Sequence, residues 1–152
     1  MKTVKYTVDL FEGSHLYEIN LRDEDKDRFA IIGGAVVDSA VFGKIMEDLS
    51  EAETLKVDDI PIACWGILKY SDTMGEAWIF CDKIVEFHGS AVLRYGKQFL
   101  DKKRAYKRIQ AAVDSSWDVA NRYVQYMGFD YECTMRKWGP NGTDYNLYAR
   151  VF

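Results

Sequence analysis

The hydrophobic pattern of this chain changes between strand and helix periodicity in an order that few folds can accommodate. Seven short segments either alternate apolar and polar residues or are continuously apolar, with many β-branched and aromatic side chains. Four longer segments repeat apolar residues every three or four positions. The order is strand, two helices, three strands, helix, strand, helix and two strands. It predicts a mixed α/β sheet with helices on both faces.

Turn residues bound the predicted strands. Pro61 begins one strand, where a sheet tolerates a missing backbone donor, and the sequence GPNG at residues 139–142 predicts the last hairpin turn. The strands cover residues 3–9, 53–57, 61–69, 76–81, 109–113, 129–138 and 144–152. We expect the core to contain Trp65, Trp78, Ile79, Phe80, Phe99, Leu100 and Phe129.

Capping residues mark the predicted helices. Ser14 precedes the first helix and Gly33-Gly34 ends it, while its charged stretch at residues 22–28 is interpreted as a solvated face. Gly128 ends the last helix, and we expect it in the left-handed conformation that glycine favours. The four helices cover residues 15–32, 38–49 (where Val41, Ile45 and Leu49 repeat), 90–106 and 117–127.

The composition is that of one globular domain spanning residues 1–152. Apolar residues make up 48% of the chain and charged residues 29%, which excludes a disordered protein. No apolar run approaches the ~20 residues that span a bilayer, so no membrane partner is expected. The net charge of −4 argues against nucleic acid as a partner. Cys64, Cys81 and Cys133 have no metal-site spacing, and we expect them to be buried, reduced thiols.

One basic cluster departs from the acidic average of the chain. It could meet nucleic acid, an acidic partner or a phosphate group, but a solvated helix face is the favoured interpretation. Its members are Arg94, Lys97, Lys102, Lys103, Arg104, Lys107 and Arg108.

Residues 120–129, ANRYVQYMGF, are a helix, a glycine stop and the start of a strand. This segment resembles the A-x-x-x-Y-x-x-x-G-F segment of the Gcn5-related N-acetyltransferase (GNAT) superfamily, whose order of elements is also the order predicted here. The resemblance implies a GNAT-like α/β fold with six to seven strands and about four helices. It also implies acetyl-CoA as the cofactor of an active member, with an amine or a protein lysine as acceptor.

Three further segments, at residues 20–34, 61–67 and 75–80, look like a narrower group. These are small GNAT-like proteins of tailed phages, including the internal virion protein A family of short-tailed phages. This resemblance implies a virion or host protein as partner. It also implies a location in the cytoplasm of the infected cell or in the virion.

The superfamily holds the CoA pyrophosphate on a Q/R-x-x-G-x-G/A loop, where two strands splay apart and a helix begins. Backbone N–H groups at a helix start bind anions, and glycines allow close approach. The corresponding stretch here has Gly89, Ser90 and Ala91, the candidate cofactor-binding residues, together with Asn121. Glu86 occupies the place of the basic or amide residue, and Gly89-Ser90 could equally serve as a helix cap.

The superfamily also uses a tyrosine, four residues before the Gly of the Gly-Phe pair, as general acid for the leaving thiolate. That position is Val124, which has no proton to give. Tyr123 and Tyr126 flank it but point about 100° and 200° away on a helix. The candidate catalytic residues are therefore Tyr126 as acid and Glu76, Glu86 or His88 as base.

Two functions follow from this pattern. The first is a catalytically degenerate, phage-encoded GNAT-fold protein that acts by protein binding in virion assembly or on a host partner. The alternative is an acetyl-CoA-dependent N-acetyltransferase. The eroded loop and Val124 favour the first. They predict that acetyl-CoA binds weakly or not at all, and that Tyr126→Phe leaves any activity unchanged.

Overall fold

The computed structural model describes residues 2–29 and 39–152. In this part of the chain, seven strands form one sheet and five α-helices cover it. The strands are β1 Tyr6–Leu10, β2 Ser50–Val57, β3 Ile60–Lys69, β4 Met74–Cys81, β5 Arg108–Asp114, β6 Asp130–Met135 and β7 Tyr145–Val151. The helices are α1 His15–Glu18, α2 Asp23–Phe29, α3 Ser39–Leu49, α4 Gly89–Asp101 and α5 Asp118–Tyr126, with a 3₁₀ helix at Lys83–Phe87 before α4. None of these helices is long and apolar enough to cross a membrane.

The strand order in the sheet is β1-β2-β3-β4-β5-β7-β6. Neighbouring strands are antiparallel except β4 and β5, which are parallel. A parallel pair needs a crossover, which the 3₁₀ helix and α4 supply between these two strands. The predicted mixed sheet is therefore confirmed.

Two apolar clusters cover the two faces of the sheet. One joins the strands to α4 and α5, and it includes Val92, Phe99, Val124 and Met127. The other joins Trp78 and Phe80 of β4 to α1 and α3. Of the seven predicted core residues, six are buried and Ile79 is half-buried, so the predicted core is confirmed.

Helix α3 was expected from an apolar repeat, but it packs through different residues. Phe42 and Met46 are each only 2% exposed and face the sheet. The repeat residues Val41, Ile45 and Leu49 are 40–53% exposed. The apolar repeat predicts the helix correctly. It does not identify the face that packs against the sheet, which carries Phe42 and Met46.

The first predicted helix is broken in two. Between α1 and α2, Leu21 forms a bridge with Asp82, and the Asn20 N–H donates to an Asp82 carboxylate oxygen at 2.7 Å. This pairing with the end of β4 is incompatible with a continuous helix. The rest of that prediction, with the Gly33-Gly34 stop, lies outside the described residues.

The ends of two helices and the burial of the cysteines were also predicted. Gly128 has φ +91°, which confirms the left-handed end of the last helix. The helix predicted over residues 90–106 ends at Asp101, since Tyr106 turns back to donate its hydroxyl to Glu51 at 2.8 Å. Cys64 and Cys81 are buried free thiols as expected, but Cys133 is exposed because it lies on β6, whose residues are mostly exposed.

Candidate functional site

The parallel pair β4 and β5 opens in the middle of the sheet. The two strands are paired only at Met74–Arg108, Gly75–Ile109 and Glu76–Gln110. Beyond that point β4 continues to Cys81 beside β3, and β5 continues to Asp114 beside β7. Each strand stays in its own half of the sheet, so a cleft forms between them that is narrow at Glu76 and wide at Cys81.

Backbone groups of β4 are directed into this cleft. The Asp82 N–H donates to the Ile62 carbonyl at 2.8 Å, which fixes the alternation of the antiparallel β3–β4 ladder. Even-numbered residues of β4 bond to β3, and the peptide groups of Ala77, Ile79 and Cys81 point the other way. The Glu76–Gln110 bridge uses the Ala77 N–H, and the Cys81 peptide groups bond to Asp25 and to the Arg22 N–H. The Ala77 carbonyl and the Ile79 peptide groups can accept an extended, amide-containing ligand as an added strand.

A cavity of about 1290 Å³ occupies the cleft. It exceeds the 300–1,000 Å³ of most small-molecule sites, so it can take a long ligand. Its apolar wall comes from β4, α4 and α5. Its polar lining residues include Arg22, Asp23, Glu24, Asp25, Lys83, Glu86, Asp114, Arg122 and Tyr123.

Helix α4 begins at this cavity. Gly89 lines it, and a Cβ added to Gly89 would meet no atom within 4 Å, so the approach to the helix start is open. Lys83, Glu86 and Arg122 also line the cavity. The cavity lining as a whole carries five carboxylates and three cations, so the attraction for an anion comes from the N-terminus of the helix and not from the net charge of the cavity.

The predicted site residues do not all reach the cavity. Gly89 and Tyr126 line it, and Tyr126 is 60% exposed at its rim. Ser90 and Ala91 follow Gly89 on α4 without lining it. His88 is bonded through Nδ1 to the Tyr6 hydroxyl at 2.7 Å, on strand β1.

Glu76 and Asn121 are tied into the fold. The Glu76 carboxylate is buried and accepts a hydrogen bond from the Tyr70 hydroxyl. The Asn121 amide donates to the carbonyls of Asp114 and Trp117, and its oxygen accepts from Asn146 and Tyr148. These four bonds use the whole capacity of an amide side chain, so Asn121 joins α5 to β5 and β7.

An ion pair closes the wide end of the cleft on the side of α2. The Cys81 N–H donates to Asp25 at 2.9 Å, and the Arg22 guanidinium donates twice to the same carboxylate at 2.8 and 3.1 Å. Arg22 also lies over the Trp117 ring at 4.9 Å, across the opening. Burial raises the pKa of Asp25, although the bonds from Arg22 oppose the rise.

This ion pair corrects the interpretation of residues 22–28 as a solvated face. Asp25 is 2% exposed, whereas Asp23, Glu24 and Lys26 of the same stretch are exposed. The sequence alone does not distinguish Asp25 from its charged neighbours. Charged residues are seldom buried unless a partner holds them, and the partner of Asp25 is not close to it in the sequence. That partner, the end of β4, is 56 residues away.

Tyr123, which the sequence analysis set aside because it points about 100° from Val124, is a second residue at the cavity. It is half-buried and lines the cavity, while its neighbour Val124 is 6% exposed in the apolar cluster. A Cβ added to Gly96 of α4 would lie 3.0 Å from the Tyr123 hydroxyl. A glycine inside a helix is costly unless it allows a close approach, so Gly96 was the available signal.

The basic cluster is partly neutralised. Lys103 pairs with Glu51 at 2.7 Å and Arg108 with Glu132 at 2.5 Å. Lys97 lies 3.6 Å from Asp101 on α4. The cluster is therefore not a continuous patch of free cations.

No protein-family model and no curated protein matches the chain, but solved structures resemble it over nearly its full length. A GNAT-family acetyltransferase from Bacillus anthracis has 16% identity and a TM-score of 0.72, covering 96% of this chain and 94% of its own. The ribosomal-protein-S18-alanine N-acetyltransferase from Escherichia coli has 17% identity and a TM-score of 0.71, covering 97% and 94%. A protein from Salmonella typhimurium, solved with its cofactor acetyl-CoA, has 12% identity and a TM-score of 0.65, covering 96% and 93%.

At these identities the likeness establishes the fold. The chain has the mixed α/β fold of GNAT acetyltransferases, as its sequence predicted.

Proposed function

We propose that this protein binds an acyl-CoA thioester in the cleft between β4 and β5 and transfers the acyl group to an amine. The observation that best supports this function is the separation of β4 from β5 beyond Glu76. The opening turns the Ala77 carbonyl and the Ile79 peptide groups toward a long apolar cavity that starts at the N-terminus of α4. A cleft of this kind matches a ligand with an extended amide arm at one end and phosphates at the other.

The residues of the cleft fit acetyl-CoA, which when bound supplies an acyl group activated as a thioester. Ala77 and Ile79 would hold the amide arm through backbone hydrogen bonds. Lys83, Arg122 and the first N–H groups of α4 would hold the phosphates. Glu86 opposes this charge and weakens the anion site.

The wall that α2 forms at the wide end of the cleft suits an amine. Asp23 and Glu24 of α2 are exposed carboxylates on this wall, and they attract a cationic acceptor. Of the candidate bases, Glu86 lines the cavity, whereas His88 and Glu76 are bonded to Tyr6 and Tyr70. Because Glu86 lies beside the proposed anion site at the start of α4, we assign proton removal from the amine to water.

An acetylation assay with paired charge reversals tests this function. Wild type, Arg122→Glu and Arg104→Glu are assayed with acetyl-CoA on a panel of amines and lysine peptides. Arg122 lines the cavity, and Arg104 is an exposed arginine outside it. Arg122→Glu should raise the KM for acetyl-CoA about tenfold or more, equal to about 1.4 kcal/mol of binding, while Arg104→Glu leaves it unchanged. Equal effects of the two reversals would contradict the proposed site.

A second candidate function is supported by Val124. The superfamily's acid position holds no proton donor, and the Cys81 peptide at the wide end already bonds to Asp25 and Arg22. A phage-encoded, catalytically degenerate protein that binds a virion or host protein would tolerate both features. Acetyl-CoA binding without turnover on any acceptor of the panel would favour this candidate.

A further inference from the structure

Strand β1 lies at one edge of the sheet, and in the described part of the chain β2 is its single partner. The five residues of β1 pair with β2 without a register shift, so the edge is regular. The opposite edge strand, β6, has such a shift between Tyr131 and Cys133. Irregularities of that kind protect an edge, whereas a regular and unpaired edge is a template for another strand.

Alternate backbone groups of β1 point away from the sheet. The Phe11 N–H donates to the Ala52 carbonyl at 3.2 Å, and the Asp58 N–H donates to the Lys5 carbonyl at 2.8 Å. Hydrogen-bonded residues alternate along an antiparallel ladder, so the odd-numbered residues from 5 to 11 bond to β2. The N–H and C=O groups of the even-numbered residues therefore face outward, and within residues 2–29 and 39–152 they bond to no other segment.

The charges of this edge are complementary to those of a second copy that runs antiparallel. When Thr7 lies opposite Thr7 of the second copy, Lys5 lies opposite Asp9, and this pair occurs twice. Lys5 is exposed and forms no ion pair with the described residues. Asp9 pairs with Lys56 at 2.9 Å, but its side chain is still 51% exposed and can meet a second cation. A shift of two residues in either direction loses the facing of Lys5 and Asp9, so the charges select one register.

The same register brings exposed apolar side chains together. Val4 and Leu10, which are 44% and 83% exposed, lie opposite each other across the two copies. Tyr6 lies opposite Val8, and because the backbone groups of both face outward, the two residues exchange two hydrogen bonds. Tyr6 and Val8 also pack against the cluster under α4. Pairing would therefore continue both the sheet and its apolar face into the second copy.

We infer that β1 is the interface of a homodimer in which the two edge strands pair antiparallel about a two-fold axis at Thr7. The seven strands of each copy join into one continuous sheet. The contact is isologous, so every favourable pair is made twice. Main-chain hydrogen bonds supply affinity and the facing side chains fix the register. The inference does not rest on the proposed acyl transfer, since β4 lies three strands away from β1.

Sedimentation of wild type and charge variants tests this interface. Wild type at about 100 μM should have a mass of about 35 kDa, twice the chain mass of 17.6 kDa, as expected for a Kd in the micromolar range. Lys5→Glu and Asp9→Lys each place like charges opposite one another twice, and each should raise the dimer Kd about tenfold or more. An equal mixture of these two variants should form the dimer again, because the facing charges at positions 5 and 9 are then opposite. Arg136→Glu, an exposed position just after β6, is the control and should leave the Kd unchanged.

Disulfide trapping tests the register. Thr7→Cys is made together with Cys133→Ser, which removes the exposed thiol and leaves Cys64 and Cys81 buried. The two residues 7 form a non-hydrogen-bonded pair with Cα atoms about 4.5 Å apart, within reach of a disulfide. Oxidised glutathione should therefore link the chains. Lys5→Cys in the same background is the control, because its two copies lie four positions apart, about 14 Å, and should not link.

Three results would each overturn the inference. The first is a wild type that stays monomeric at about 100 μM, well above a micromolar Kd. The second is an equal effect of Lys5→Glu and Arg136→Glu on the dimer Kd. The third is linking of Lys5→Cys as readily as Thr7→Cys, which would show a different interface.

Discussion

Replacing Asp25 by alanine should destabilise the protein far more than replacing its exposed neighbour Asp23. The carboxylate accepts three hydrogen bonds, from the Cys81 N–H at 2.9 Å and from Arg22 at 2.8 and 3.1 Å. Its removal leaves a buried N–H without a partner, which costs about 1–3 kcal/mol. It also leaves the Arg22 guanidinium without its anion, and breaking a buried pair costs about 3–5 kcal/mol in all. We expect a loss of about 3–5 kcal/mol in the free energy of unfolding.

Urea unfolding followed by tryptophan fluorescence measures this loss, and Asp23→Ala is the matched control. Asp23 lies two residues away and pairs with Lys26 at 3.2 Å, but its side chain is 84% exposed. Such a surface pair contributes about 0–1 kcal/mol. Asp25→Asn keeps an acceptor for the Cys81 N–H and should fall between the two. A loss below about 1 kcal/mol for Asp25→Ala, or equal losses for Asp25→Ala and Asp23→Ala, would refute the assignment of a buried ion pair between Asp25 and Arg22.

Three further predictions concern stability. Gly128→Val should cost about 1 kcal/mol or more because residue 128 has φ +91°, whereas Gly89→Ala, with open space at its Cβ, should cost less than about 0.5 kcal/mol in the same urea assay. Asn121→Ala removes four hydrogen bonds, three to β5 and β7 and one to the Trp117 carbonyl at the start of α5, and should cost about 2–4 kcal/mol at about 1 kcal/mol each; a loss below 1 kcal/mol would contradict its structural role. The bond from Lys103 lowers the pKa of Glu51, so the stability that Glu51 contributes is present above its unfolded pKa and is lost as pH falls through its folded pKa. Unfolding curves from pH 6 to pH 3 should therefore show a smaller acid loss for Glu51→Gln than for wild type, and identical pH profiles would count against this pairing.

The fold was largely predictable because each element has its own local signal. Strands β3 and β4 follow from apolar runs, and Gly128 follows from the glycine rule for helix ends. The exposed repeat on α3 was less informative, since spacing alone does not reveal which side meets the sheet. The break between α1 and α2 could not be predicted, because it depends on pairing between Leu21 and Asp82, far apart in sequence.

The site was less predictable than the fold for the same reason. Gly89 was correctly placed at the start of α4 because a glycine at a helix start has a local signature, and its role in cofactor binding stays a prediction. Tyr123 was set aside because its direction depends on how α5 packs against Gly96 of α4, and Asp25 was missed because its partner is the backbone of Cys81. Asn121 was assigned to the cofactor from its place in a motif, whereas its contacts are internal.

Titration of wild-type protein with acetyl-CoA by isothermal calorimetry tests the central claim most directly. The cleft between β4 and β5 should bind one molecule per chain with a Kd of about 1–100 μM, a standard free energy of about −8.2 to −5.5 kcal/mol. Free coenzyme A should compete for the same site, because the backbone of β4 and the start of α4 contact parts common to both. Absence of heat up to 1 mM acetyl-CoA, with the protein shown to be folded, would contradict the account.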